Sequence, residues 1–189
     1  MSNRNTILLI SIVAALVGAV VLGSKKKFYI SAGIPVLAET TEGPVRFAIG
    51  LDKMTYKLGE PVNVTLTIKN ISNRTVFLAG SSTPVLEFVV YNQYGQKILL
   101  PSPISCPVVV SYPIEPGETL HRAFTWKQQK RIASYLSAVY GQVDVGIYFI
   151  LVRTTPWAAI LYDEAGEIRR IQIETPQVYI EVVPERPSF

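Results

Sequence analysis

The chain contains one histidine and one cysteine, residue types that often serve as a base or a nucleophile. His121 lies in a stretch where apolar and polar residues alternate, which predicts a strand with the histidine at its surface or edge rather than at a catalytic site. Cys106 is expected to be a small buried residue, with a thiol that links two chains as the alternative. We therefore predict no catalytic residues and no enzymatic activity.

Three carboxylates lie close together around Gly166, on Asp163, Glu164 and Glu167. Clustered carboxylates of this kind are typical ligands of calcium. The same residues are also typical of the solvated tip of a hairpin, which is the interpretation we favour. We therefore expect neither a metal ion nor a cofactor.

The segment from Thr154 to Tyr162 is long and apolar for a loop, and it contains a tryptophan directly after a proline. An exposed apolar segment often marks a surface that contacts another protein. The alternative is that the segment forms a further strand of the core. The residues proposed for contact with a partner are Pro156, Trp157, Ile160, Leu161 and Tyr162.

The elements that must position these residues are predicted to be strands. Apolar and polar residues alternate most regularly from Val62 to Lys69, as a strand with one buried face requires. Turn residues separate further short segments, as at Leu58–Pro61 and Glu115–Glu118, and this spacing predicts an all-β antiparallel sandwich. The other predicted strands are Arg46–Leu51, Thr75–Ala79, Val85–Tyr91, Lys97–Leu100, Val108–Tyr112, Thr119–Trp126, Gly146–Arg153, Glu167–Ile173 and Gln177–Val183.

One segment within the body of the chain has a different periodicity. From Gln128 to Tyr140 apolar residues recur at helical spacing, which predicts a local helical insertion. The chain is accordingly divided into an anchor at residues 1–27, a linker or edge strand at 28–44, a β-sandwich at 45–184 and a tail at 185–189.

The N-terminal region contains an uncharged, mostly apolar run. From Asn5 to Ser24 a helix would span about 30 Å, the thickness of the hydrocarbon layer of a bilayer. Because Arg4 and Lys25–Lys27 flank this run, we predict a retained transmembrane anchor, with a cleaved signal peptide as the alternative. Small residues recur every four positions and would let another helix pack closely, at Ser11, Ala15, Ala19 and Gly23.

The orientation of the domain is predicted from two opposing features. Three positive charges follow the anchor against two before it, counting the N-terminal amine, which slightly favours a cytoplasmic domain. Acceptor patterns for glycosylation at Asn63, Asn70 and Asn73 favour the outside, and we predict a domain outside the cytoplasm. The basic residues behind the net charge of +4 are scattered, so no surface for nucleic acid is expected.

Several short segments follow one another in a particular order, with Leu58–Pro61 preceding the strand VNVTLTIKN. The later segments are Glu87–Gly95, Ile114–Glu118, Phe124–Trp126 and Gly146–Tyr148. In this order they resemble the intracellular proteinase inhibitor (BsuPI) domain, over about residues 57–152. The resemblance implies an immunoglobulin-like β-sandwich, and it implies inhibition of a protease without assigning a reactive-site residue.

Three functions are compatible with this sequence. The expected one is an interaction or structural module displayed on the membrane, such as an accessory subunit of a larger membrane or surface assembly, whose partners are the membrane and other proteins. The first alternative is a membrane-tethered protease inhibitor, which rests on the resemblance. The second is a filament subunit in which Phe28–Leu37 adds as a strand to a neighbouring chain.

Overall fold

The computed structural model describes residues 27–29, 36–101, 106–132 and 139–185. No helix within these ranges is long and apolar enough to cross a bilayer. The predicted anchor at residues 1–27 falls outside the described residues except for Lys27, and so do its small residues Ser11, Ala15, Ala19 and Gly23.

Within the described ranges the chain forms strands and turns. The strands are β1 (Lys27–Tyr29), β2 (Val36–Glu42), β3 (Val45–Leu51), β4 (Thr55–Lys57), β5 (Val62–Asn70), β6 (Val76–Gly80), β7 (Leu86–Asn92), β8 (Val110–Ile114), β9 (Thr119–Trp126), β10 (Gln129–Arg131), β11 (Tyr140–Gln142), β12 (Gly146–Thr154), β13 (Ala158–Glu164), β14 (Glu167–Ile171) and β15 (Val178–Val183). The predicted all-β class is confirmed.

The strands form three larger sheets and one small one. The first sheet has the order β1-β2-β3-β5-β9, the second β4-β15-β12-β7 and the third β14-β13-β6-β8, while β10 and β11 pair by themselves. Neighbouring strands are antiparallel except β15 and β4, which are parallel. The stretch 28–44, predicted to be a linker or an edge strand, contains part of β1 and all of β2.

The apolar face of β5 shows how the sequence builds the core. Val62, Val64, Leu66 and Ile68 are buried, whereas the intervening Asn63 and other polar residues lie toward solvent. Each fully buried side chain of this kind stabilises the fold by about 1.5–3 kcal/mol. Buried residues from all three larger sheets join them in one continuous cluster.

A shared corner joins the second sheet to the third. Strand β7 follows β6, and β13 follows β12, so that each chain segment leaves one sheet and enters the other. The Thr155 amide donates to the Val85 carbonyl at 3.0 Å inside this corner and continues the ladder. Gly80 fits closely there, because a Cβ would lie 3.0 Å from Val85 Cγ1 and 3.1 Å from Ala158 Cβ, so any larger residue would require these neighbours to move by a few tenths of an ångström.

Two neighbouring threonines at this corner differ in their hydrogen bonds. Thr154 Oγ1 accepts from the Ile173 amide at 3.2 Å. The buried Thr155 Oγ1 has no partner among the described residues. We expect Thr155→Val to raise the free energy of unfolding by about 0.5–1.5 kcal/mol, and Thr154→Val to lower it by about 1–2 kcal/mol. Urea denaturation of the two variants measures both values, and a larger loss for Thr155→Val than for Thr154→Val would contradict the argument.

The predicted helix at Gln128–Tyr140 is wrong at both ends. Strand β10 pairs with β11, joining Arg131 to Tyr140 in an antiparallel ladder, while residues 133–138 lie outside the described residues. Gln128 has a φ of 55°, which is incompatible with a right-handed helix. Pairing between distant strands therefore overrides the local helical periodicity.

The predicted strand at Lys97–Leu100 is reduced to a single bridge between Lys97 and Tyr91. The segment follows the edge of β7 only briefly, with the Ile98 amide donating to the Val90 carbonyl at 2.8 Å. Farther on, it turns toward β10, so that it lies beside two sheets rather than within one.

Candidate functional site

The segment proposed for contact with a partner is divided between two faces of β13. Ile160 is fully buried and Tyr162 packs against the core, so neither offers a contact surface. Leu161 lies on the opposite face because successive residues of a strand alternate. Trp157, just before the strand, is 67% exposed, and Pro156 is also exposed. The core-strand interpretation therefore applies to Ile160 and Tyr162, whereas contact of Pro156, Trp157 and Leu161 with a partner stays a prediction.

Each of the four strands of the third sheet has an apolar side chain on the side of the sheet that faces away from the core. The register places Phe77 of β6 opposite Leu161 and also opposite Pro113 of β8. Ile168 of β14 is opposite Asp163, two residues from Leu161, and is 74% exposed. We call this surface the outer face and define it as Phe77, Pro113, Leu161 and Ile168, with the exposed Trp157 at its edge in the turn before β13.

Ion pairs surround the outer face at the end of the β13–β14 hairpin. Asp163 lies 3.0 Å from the Arg74 guanidinium, and Arg169 lies 3.3 Å from Glu164 and 3.0 Å from Glu167. Each of the three carboxylates considered as a calcium ligand is therefore paired with an arginine. In the described part of the chain no group of three His, Cys, Asp or Glu residues is arranged to hold a metal ion.

The histidine and the cysteine are not brought together. His121 is an exposed residue of β9, opposite Thr67 of β5. Cys106 is also exposed, which corrects the prediction of a buried side chain. The backbone of Cys106 is fixed by hydrogen bonds of 3.0 and 3.2 Å with the backbone of Thr83, whereas its side chain points to solvent.

The three asparagines of the glycosylation patterns have different environments. Asn63 and Asn73 are exposed. The side chain of Asn70 is fully buried, and its Nδ2 donates to the Arg74 and Ile114 carbonyls at 2.7 and 2.8 Å. A glycan on Asn70 would break both bonds, so only Asn63 and Asn73 are accessible in the folded chain.

A groove that sequence reasoning missed lies between β7 of the second sheet and β9 of the first, with a volume of about 700 Å³. At its floor the rings of Phe88 and Phe124 stack with centroids 5.6 Å apart. The signal in the sequence is the aromatic pair in Phe124–Trp126. Seven aliphatic or aromatic residues line the groove: Leu86, Phe88, Ile98, Leu99, Leu100, Phe124 and Trp126.

One wall of the groove carries a charged cluster centred on Glu87. Lys97 Nζ lies 2.5 Å and Arg153 Nε 3.0 Å from the two carboxylate oxygens. Burial alone would raise the pKa of Glu87, but the hydrogen bonds from Lys97 and Arg153 outweigh it and lower the pKa. Glu87 therefore stays ionised and holds Lys97 against the wall.

A second aromatic contact involves Trp126, which lines the groove. The ring of Tyr148 packs edge to face on Trp126 with centroids 5.3 Å apart. The Tyr148 hydroxyl donates to the Asp144 carbonyl at 2.7 Å, so its polar end is satisfied while its ring is buried.

Comparison with known proteins gives weak structural similarities only, and neither a family model nor a curated protein matches the chain. A β-glucosidase from Listeria innocua in complex with isofagomine is 14% identical, with a TM-score of 0.40, over 75% of this chain. The C-terminal domain of wzt is 6% identical with a TM-score of 0.39, over 77% of both chains. This chain spans 16% of the length of the β-glucosidase. Similarities at this level carry no argument about function.

Proposed function

We propose that the chain is a membrane-anchored binding module, an immunoglobulin-like β-sandwich outside the cytoplasm that joins a larger membrane or surface assembly as an accessory subunit. The observation that carries the proposal is the outer face, an apolar surface on a strand layer whose other side already belongs to the core. The apolar run at Ile7–Gly23 supports the anchor.

The composition of the outer face favours a protein partner. Tryptophan contributes strongly to binding energy at protein interfaces, and Trp157 is 67% exposed just before β13. Phe77 is 39% exposed on the same sheet, opposite Leu161. Covering these side chains removes apolar surface from water, a favourable contribution of about 25 cal/mol per Å² that is partly offset by the entropy lost on association. The flanking ion pairs would remain at the polar rim.

The anchor would strengthen such binding without any additional contact. Two proteins held in one membrane meet at a raised effective concentration, so a modest apolar face can be sufficient. The small residues predicted on one side of the anchor, from Ser11 to Gly23, would allow a second contact between helices.

A single crosslinking experiment tests both the face and the orientation. In a Cys106→Ser background, Ser81→Cys places a unique thiol beside Trp157, because the exposed Ser81 donates its amide to the Trp157 carbonyl at 3.1 Å. Tyr94→Cys places a thiol at a turn that is 78% exposed and lies outside the outer face. Intact host cells are treated with a membrane-impermeant maleimide that carries a photoreactive group. We expect both thiols to be labelled and only Ser81→Cys to yield a crosslinked species of discrete mass.

The outcomes separate the two parts of the proposal. Labelling of neither thiol in intact cells, with labelling of both after lysis, would place the domain on the cytoplasmic side. Labelling of both with no crosslink, or with the same crosslinks from both positions, would refute the outer face as a binding surface. Ile168→Glu, added to the Ser81→Cys variant, should reduce the crosslink by about tenfold because it places a charge within the interface.

A further inference from the structure

The groove between β7 and β9 contains an open strand edge. Strand β9 pairs with β5 over its whole length, from Val62 with Trp126 to Lys69 with Thr119. Among the described residues no strand pairs with the other side of β9. An edge strand presents a row of backbone N–H and C=O groups that an extended chain can pair with.

The surface of the groove also suits an extended chain. Successive side chains of a bound strand would point alternately into the groove and away from it, since strands have a period of two residues. The inward side chains would meet the Phe88 and Phe124 rings and Leu99, which is 60% exposed. Apolar side chains therefore fit at alternate positions of the bound segment.

The charged residues at the rim of the groove determine which side chains are favoured at the other positions of the bound segment. Lys127 and Arg131 line the groove, are exposed, and have no carboxylate within 4 Å among the described residues. Lys97 adds a third cation, although Glu87 already pairs with it. Side chains that face the rim would therefore be favoured if they are acidic.

We propose that the groove binds an extended segment of another polypeptide in which apolar and acidic side chains alternate, and that the segment pairs with the open edge of β9. Its apolar side chains lie on Phe88 and Phe124, and its carboxylates face Lys127 and Arg131. The site is separate from the outer face, because it is built from the first and second sheets rather than the third.

The test uses the full-length chain in detergent and an eight-residue peptide, matching the length of β9, of alternating valine and glutamate with blocked ends and a fluorescent label. Fluorescence anisotropy measures binding at low ionic strength. We expect saturable binding, and about tenfold weaker binding to Lys127→Glu/Arg131→Glu. Both substituted residues are exposed, so the variant should fold, which its thermal unfolding verifies.

The matched control reverses two other charges. Arg46 and Lys69 form an exposed cross-strand pair on the first sheet, and Lys69 is opposite Thr119, about 23 Å along β9 from Trp126. Arg46→Glu/Lys69→Glu should bind the peptide within about twofold of the unchanged chain. If both double variants bind the peptide equally weakly, the peptide is attracted by the overall charge of the chain rather than by the groove. That result would overturn the proposal.

A second peptide separates charge from strand pairing. The valine and lysine analogue can form the same backbone bonds but would face the cationic rim with like charges. We expect it to bind at least about tenfold more weakly than the glutamate peptide. Equal binding of the two peptides, or no binding of the glutamate peptide up to about 1 mM, would overturn the assignment.

Discussion

Gln128→Ala is expected to destabilise the fold by about 2–4 kcal/mol. The buried amide of Gln128 fixes the turn between β4 and β5, where its Oε1 accepts from the Gly59 amide at 2.9 Å. Its Nε2 donates to the Lys57 and Glu60 carbonyls at 2.8 and 2.7 Å. Truncation removes the partner of the Gly59 amide and of the Glu60 carbonyl, whereas the Lys57 carbonyl still accepts from the Glu60 amide at 3.0 Å. Equilibrium denaturation in urea measures the loss.

Gln142→Ala is the matched control for this substitution. Gln142 is exposed, and its amide approaches Gln128 Oε1 only at 3.4 Å. We expect a change below about 0.5 kcal/mol. Similar losses for the two alanine variants would show that the hydrogen bonds of Gln128 with the turn are not what stabilises this region.

Asn70→Asp is expected to cost about 2–4 kcal/mol near neutral pH and clearly less near pH 4. Asn70 Oδ1 accepts from the amide and hydroxyl of Ser72 at 2.9 and 2.8 Å, which an aspartate would still do. The two donors to the Arg74 and Ile114 carbonyls would be lost, and a carboxylate would face both oxygens.

The pH dependence follows from the buried position of that carboxyl. Burial and the facing carbonyls would raise its pKa in the folded chain above about 3.9, the value expected when unfolded. The unfolded chain then releases the proton first as pH rises, so the loss of stability grows between the two pKa values. Asn73→Asp, on the exposed part of the same loop, is the control, with a change below about 0.5 kcal/mol. A pH-independent loss for Asn70→Asp would contradict the assigned role.

Local patterns in the sequence predicted the strands with one buried face well. The alternation at Val62–Lys69 places every apolar residue of β5 in the core, because a period of two leaves only one register that buries them. Gly117 adopts a φ of 78° as expected from its turn. These features depend on residues close together in the chain.

Features that depend on distant residues were not predictable in the same way. The burial of Asn70 is decided by the Ile114 carbonyl, and the hairpin after Gln128 depends on a turn far earlier in the chain. The same limit applies to the candidate sites. The segment with Trp157 is recognisable from its composition. The groove, in contrast, exists only because β7 and β9 are edge strands of two different sheets and lie next to each other.

The corner shared by the second and third sheets has a consequence for the order in which the chain folds. Strands β6 and β7 find their antiparallel partners in β13 and β12, far later in the sequence. During synthesis from the N-terminus, Leu78, Val89 and Val90 are complete long before the residues that cover them have emerged. Such late pairing slows folding and exposes strands that can associate with other chains. Strands β6 and β7 therefore stay without these partners until β12 and β13 have been synthesised.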